Sequence, residues 1–191
     1  MQVMKERDEQ RPLTGVVQLD DVYWGGERRG GKTGRGSPNK IPFVAGVATN
    51  LDGHPIAMRM NKAKGFRMRE IAAWTRKHFH PDAIVVSDGL ARFNAVGECR
   101  REHYAIVTGG GPASVKLAEF AWVNTMIGNL KNAFTGTYHR IHPKYLPRYL
   151  AECDYRFNRR FKLEAMLPRL GWAAVRTPPM PWRLLKLAEA H

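Results

Sequence analysis

Residues 15–24 read GVVQLDDVYW, and the fold turns on how this stretch is read. Gly15 and the pair Gly25-Gly26 bracket a run rich in β-branched and aromatic residues, which predicts a buried strand reaching about Tyr23. The run carries two aspartates where an apolar strand has no hydrophobic use for them. Residues 82–89, DAIVVSDG, repeat the pattern: a continuous apolar run stopped by Asp-Gly, the signature of a strand covered on both faces. Asp20 thus closes VVQLD and Asp88 closes AIVVSD. Sites in open α/β sheets form at the carboxyl ends of strands, so neighbouring placement of these two strands would bring two carboxylates together. The competing reading makes both aspartates turn residues, since Asp-Gly is a common turn pair.

The rest of the chain is built outward from these strands. IPFVAGVAT and HPIAMRM flank the turn signal Asn50-Leu51-Asp52-Gly53 and read as a hairpin. FRMREIAAWTRKHF has Met68, Ile71, Ala72 and Trp74 or Thr75 at helical spacing and stops before Pro81. LARFNAVGEC reads as a short helix and HYAIVT as a further strand. From Phe120 the pattern is mostly helical, through FAWVNTMIGNLKNAF and PKYLPRYLAECDYRFNRRF to a proline-interrupted tail. Residues 1–14 are polar and read as a frayed tail or the end of a helix continuing from an upstream region. Residues 15–191 form one domain of order β-β-β-α-β-α-β-α, a mixed sheet with helices on its faces, which is the order of an RNase H-like α/β domain.

With 191 residues, 43% of them hydrophobic, the chain can bury a real core; 31 Lys and Arg against 17 Asp and Glu leave a net charge of +14. That surplus favours polyanionic partners, nucleic acid first, although a solvated basic surface would look the same. The two cysteines, Cys99 and Cys153, lack the paired spacing of a zinc or redox motif, and reduced thiols in a cytoplasmic protein are the expectation. No apolar run approaches the roughly 20 residues of a membrane span, and the N-terminus has no signal-peptide core.

Two like charges buried side by side are costly unless a cation joins them. Mg²⁺ suits such a pair, since it takes oxygen ligands at about 2.1 Å and is commonly held by one or two carboxylates with substrate phosphate. Two ions about 4 Å apart would clamp the attacking and leaving oxygens of a phosphoryl displacement. Asp21 follows Asp20 directly, so strand alternation assigns it to the opposite face and outside the ligand set. A third ligand is expected from the helix around WVNTMIGNLK. Asn124 and Lys131 stand seven residues apart, two turns on one face, with Gly128 keeping that face low. The Asn amide oxygen can coordinate a hard cation and the lysine can reach a phosphate. Taken alone, the same helix reads as an ordinary amphipathic surface helix.

Basic residues gather in two further places. The glycine-rich loop GGERRGGKTGRGSPNK carries Arg28, Arg29, Lys32, Arg35 and Lys40, suited to following a phosphate backbone or simply solvated. Arg156, Arg159 and Arg160 cluster at the end of the penultimate helix, where they either meet DNA or complement the helix dipole. Gly26–Thr33 also satisfies the G-x-x-x-x-G-K-[ST] pattern of nucleotide hydrolases. That motif requires a helix directly after the threonine, and GRGSPNKIP cannot start one.

The elements VVQLDDVYWGGERRGGKTGRGSPNK, VVSDGLARF, VNTMIGNLKNAFTGTYH and RYLAECDYRFNRRF, in this order, resemble the catalytic domain of bacterial insertion-sequence transposases of the DDE superfamily. The likeness is closest to the ISXO-like branch, some of whose members carry Asn in place of the last Glu and a Lys two turns later. It extends from about residue 5 to about residue 187. The resemblance implies an RNase H-like fold, Mg²⁺ or Mn²⁺ dependence, cleavage of transposon ends by water, and attack of the freed 3′-hydroxyl on target DNA. It also implies synaptic self-association on DNA. Asp20, Asp88, Asn124 and Lys131 take the family's catalytic positions, the first three at the metal. The group usually carries an N-terminal DNA-binding region for which this sequence has no counterpart, so a catalytic-domain fragment or a truncated copy is expected. A transposase-derived DNA-binding protein with a dead metal site is the alternative.

Overall fold

The computed structural model describes residues 1–8, 11–25, 40–107, 117–139, 141–179 and 181–182. Five strands form a single sheet in the order β3-β2-β1-β4-β5, with β1 Val16–Trp24, β2 Ile41–Thr49, β3 Pro55–Lys62, β4 Ile84–Ser87 and β5 Glu102–Ala105. The first three are antiparallel neighbours, and β4 and β5 join them in parallel. The helices are α1 Gln2–Asp8, α2 Met68–His78, α3 Ala95–Glu98, α4 Ala121–Gly136, α5 Leu146–Asn158 and α6 Met166–Arg176. This is the mixed α/β architecture expected, and it is consistent with the RNase H-like fold. The N-terminal residues differ from a frayed tail, because α1 packs on α5 and α6.

Strand alternation divides the core in two. Val17 and Leu19 of β1 face Val44, Ala48, Ile71, Phe79 and Phe93 on the side covered by α2 and α3. Val22 faces Phe43, Ala45, Val47, Met58 and Met60 on the side covered by α4 and α5. Both faces of the central strand are therefore covered, and apolar residues occur on each of them. The β2–β3 hairpin turns as its sequence predicts, with Gly53 at φ +76° and its N–H donating to the Asn50 carbonyl (3.0 Å).

The β3 edge of the sheet is closed by side chains of α5. Asn158 accepts from the Met58 N–H (2.7 Å) and donates to the Met58 carbonyl (3.0 Å), and Asp154 accepts from the Met60 N–H (3.0 Å). Arg160 donates to the Pro55 carbonyl. Four residues of helix rise about 6 Å and two residues of strand about 6.7 Å. That match lets residues 154 and 158 serve residues 60 and 58 in turn.

On α2 the inward positions are Ile71, Ala72, Thr75 and His78, whereas Met68 is exposed. His78 is buried against Trp74 and Phe79, and its Nδ1 has no hydrogen-bond partner among the described residues. Burial, then the charges of Arg59 and Lys77, push the imidazole down to about 3. A folded-state value below the ordinary 6.5 means the unfolded chain takes up the proton first as pH falls. Stability contributed by neutral His78 is thus lost as pH drops from about 6.5 toward 3. In urea titrations at pH 7 and pH 5, His78→Leu is expected to lose less stability between the two than the parent protein.

Candidate metal and nucleic-acid site

The register of β1 against β4 builds the site. Val16, Val17, Gln18 and Leu19 pair in parallel with Ile84, Val85, Val86 and Ser87. One step further, Asp20 comes level with Asp88, where β4 stops and β1 runs on to Trp24. Adjacent strands lie about 4.8 Å apart. One carboxylate oxygen from each of Asp20, Asp21 and Asp88 falls within 4.8 Å of the others.

Asp21 therefore belongs to the cluster, contrary to the expectation that alternation sends it away. Alternation fixes where a Cβ points, not where a carboxylate ends. Past Leu19, β1 has no paired neighbour on the β4 side, so carboxylates from both faces can reach the same strand edge. Asp20 is also turned along the strand, its Oδ1 accepting from the Asp21 N–H (2.8 Å).

Asp88 is held from several directions. Its Oδ1 accepts from the Leu90 N–H (3.2 Å), forming an Asx turn. Gly89 takes φ +70°, and a Cβ there would stand 3.0 Å from Val107, so the turn admits only glycine without strain. The preceding Ser87 is fully buried; its hydroxyl pairs with His103 Nε2 (2.8 Å) and its carbonyl accepts from the Ile106 N–H (2.8 Å).

Helix α4 covers the cluster from the other side. Its first turn donates to Gln18 Oε1 through the N–H groups of Trp122 and Val123 (both 2.9 Å). Further along, Phe134 meets Trp24 edge to face at 4.9 Å. The helix accordingly runs beside β1, and Asp20 lies at the level between Asn124 and Lys131. Val123, Ile127, Leu130 and Phe134 face the core, which leaves Asn124, half-buried, and Lys131, exposed, on one flank. A side chain at Gly128 would meet no atom of the described residues within 4 Å, so this flank is open to an incoming ligand.

The electrostatics match the geometry. Burial, then the charges of Asp21 and Asp88, raise the Asp20 carboxyl to about 7, against smaller opposing effects of the Asp21 N–H and Lys131. Three hard oxygen donors under mutual repulsion are the donor set that a small divalent cation relieves. Asp20, Asp21 and Asp88 are therefore compatible with a hard divalent cation such as Mg²⁺ or Mn²⁺.

The basic residues fare differently. Arg28, Arg29, Lys32 and Arg35, with the nucleotide-loop-like stretch 26–33, lie outside the described residues. Lys40, half-buried, immediately precedes β2, whose first residue pairs with Trp24 at the far end of β1. Arg160 is stacked on Phe157 and Phe161 (3.8 and 4.1 Å) and bonds the Phe157 and Pro55 carbonyls. Arg159 lies over Tyr155 (3.9 Å) and bonds its carbonyl. Both guanidiniums are engaged in the fold, while exposed Arg156 makes a loose pair with Glu152 (3.8 Å).

A family model for the ISXO2-like transposase domain matches residues 12–158, from just before β1 to the last residue of α5. The chain belongs to this family. It is a DDE-superfamily insertion-sequence transposase domain. No curated protein matches it. The family commonly uses divalent metals and acts on DNA, and the Asp20–Asp21–Asp88 cluster is compatible with such an ion. No helix among the described residues is long and apolar enough to cross a membrane. Sequence reasoning misses Gln18, Ser87 and His103, whose only signal is polarity within or beside buried strands.

The Asp20 shift has a signed consequence. A folded-state value of about 7 against the ordinary 3.8 means the native protein holds the proton more tightly, so without metal the buried carboxylate costs stability increasingly from about pH 4 to about pH 7. Asp20→Asn is expected to gain stability relative to the parent across that window in EDTA. Thermal melts with Mn²⁺ should erase the gain by stabilising only the parent.

Proposed function

We propose that this domain carries out the chemical steps of transposition: cleavage at transposon ends and joining of the freed 3′-hydroxyl to target DNA. The observation that supports this best is the β1–β4 register, which sets Asp20 and Asp88 level under the α4 flank bearing Asn124 and Lys131. In this reading Asp20 and Asp88 hold the metal, Asn124 contributes its amide oxygen, and Asp21 joins from across the strand edge. One or two Mg²⁺ or Mn²⁺ ions supply Lewis acidity toward the phosphate oxygens and charge to offset the carboxylates. Lys131 meets a non-bridging phosphate oxygen and holds the scissile phosphate against the open side of α4. Lys40 and Arg156, with Arg28, Arg29, Lys32 and Arg35, guide the backbone of transposon-end and target DNA. Arg159 and Arg160 are already committed to aromatic rings and carbonyls, so the reading assigns them to holding the end of α5 rather than DNA. Self-association on paired ends completes the assembly.

Joining of a pre-cleaved oligonucleotide end to duplex DNA with Mn²⁺ tests the proposal. Asp20→Ala and Asp88→Ala should each reduce joining by at least about a hundredfold, the scale of lost transition-state electrostatics. Persistent joining in both would overturn it, and DNA binding without joining in the parent would favour a DNA-binding descendant with a dead metal site.

Asn124 leaves the cluster one negative charge short of a set with Glu at that position. Metal titration without DNA should accordingly show tighter Mn²⁺ binding in Asn124→Glu than in the parent. Equal affinities would place residue 124 outside the ligand sphere.

A further inference from the structure

We infer that Gln18 is the positioning residue that sets the catalytic helix against the metal carboxylates, an inference that rests on the proposed role of Asn124 and Lys131. The first N–H groups of any α-helix lack partners within the helix. They are usually met by a Ser, Thr, Asp or Asn at the N-cap, which accepts from the second or third residue. In α4 the N-cap is Phe120, which has no such oxygen. Its second and third residues, Trp122 and Val123, donate instead to one oxygen of Gln18, 104 and 105 residues away in sequence (both 2.9 Å).

Gln18 is well placed to act as a fixed reference. It lies in the central strand, paired on one side with Val47 and on the other with Val86, and only 6% of its surface is exposed. Asp20 is two residues further on, so both side chains leave the same face of β1. The cap and a carboxylate of the metal cluster therefore share one rigid backbone segment. A second tie, from Trp122 Nε1 to the Gly53 carbonyl (2.7 Å), fixes the start of α4 to the β2–β3 turn.

The apolar contacts of α4 do not by themselves define its axial position. Val123, Ile127, Leu130 and Phe134 repeat along the helix, and such a stripe tolerates small slides. Two directed hydrogen bonds to one buried acceptor do not. An axial slide of about 1.5 Å, the rise of one residue, would carry Asn124 and Lys131 the same distance along the axis without turning the apolar stripe away from the core. Displacements near 1 Å at a reacting centre can cost about a hundredfold in rate.

Gln18→Met keeps the length of the side chain and removes the acceptor. It is expected to lower the joining rate at saturating DNA by about tenfold to a hundredfold and to raise the Mn²⁺ concentration for half-maximal rate, with KM for DNA little changed. A parent-like rate and metal response in folded Gln18→Met would overturn the inference. Amide hydrogen exchange in the unmutated protein tests it without relying on any variant: Trp122 and Val123 should exchange as slowly as mid-helix amides, and rapid exchange at both would overturn it. Asp20→Asn, run alongside, separates the two levels. Joining that survives Asp20→Asn refutes the metal-site reading, whereas a dead Asp20→Asn beside an unaffected Gln18→Met refutes only the role of Gln18.

Discussion

Parallel pairing of β1 with β4 is the constraint on which the rest of the molecule depends. Leu19 lies opposite Ser87, and that single register brings Asp20 level with Asp88. A shift of one residue would send one of the two aspartates to the other face of the sheet. The pairing is made between segments far apart in the chain, so the carboxylate cluster cannot form from local structure. The register is defended accordingly, by apolar packing on both sides of β1 and by the contacts around Ser87, Gly89 and Val107.

The cluster also opposes folding to a degree. A carboxyl raised to about 7 belongs to a group that the native state would rather keep protonated. The apolar packing of the two cores carries that opposition, and a bound cation would relieve it.

Much of this architecture is legible in the sequence. Continuous apolar runs ending in Asp, the Asn-Leu-Asp-Gly turn and the spacing of Val123, Ile127, Leu130 and Phe134 disclose the strands, the hairpin and α4, because each reflects a local period or a turn residue. Asp20 and Asp88 are legible for the same reason. Asp21 is not, because pleat alternation says nothing about a side chain reaching round an unpaired strand edge. Gln18 is visible only as a polar residue in a buried run; its partners lie more than a hundred residues away. For Arg159 and Arg160, a basic cluster in sequence does not reveal that Tyr155, Phe157, Phe161 and three carbonyl groups engage the guanidiniums.

The capture of Met58 and Met60 by Asn158 and Asp154 bears on how copies of the protein can meet. A strand at the border of a sheet is a template on which another chain can polymerise. Here the outward N–H groups of Met58 and Met60 already have partners in α5, so one border is blunt. Any contact between copies would then use side-chain surfaces or the opposite border of the sheet. The chain is thereby protected on this side from open-ended strand-to-strand growth.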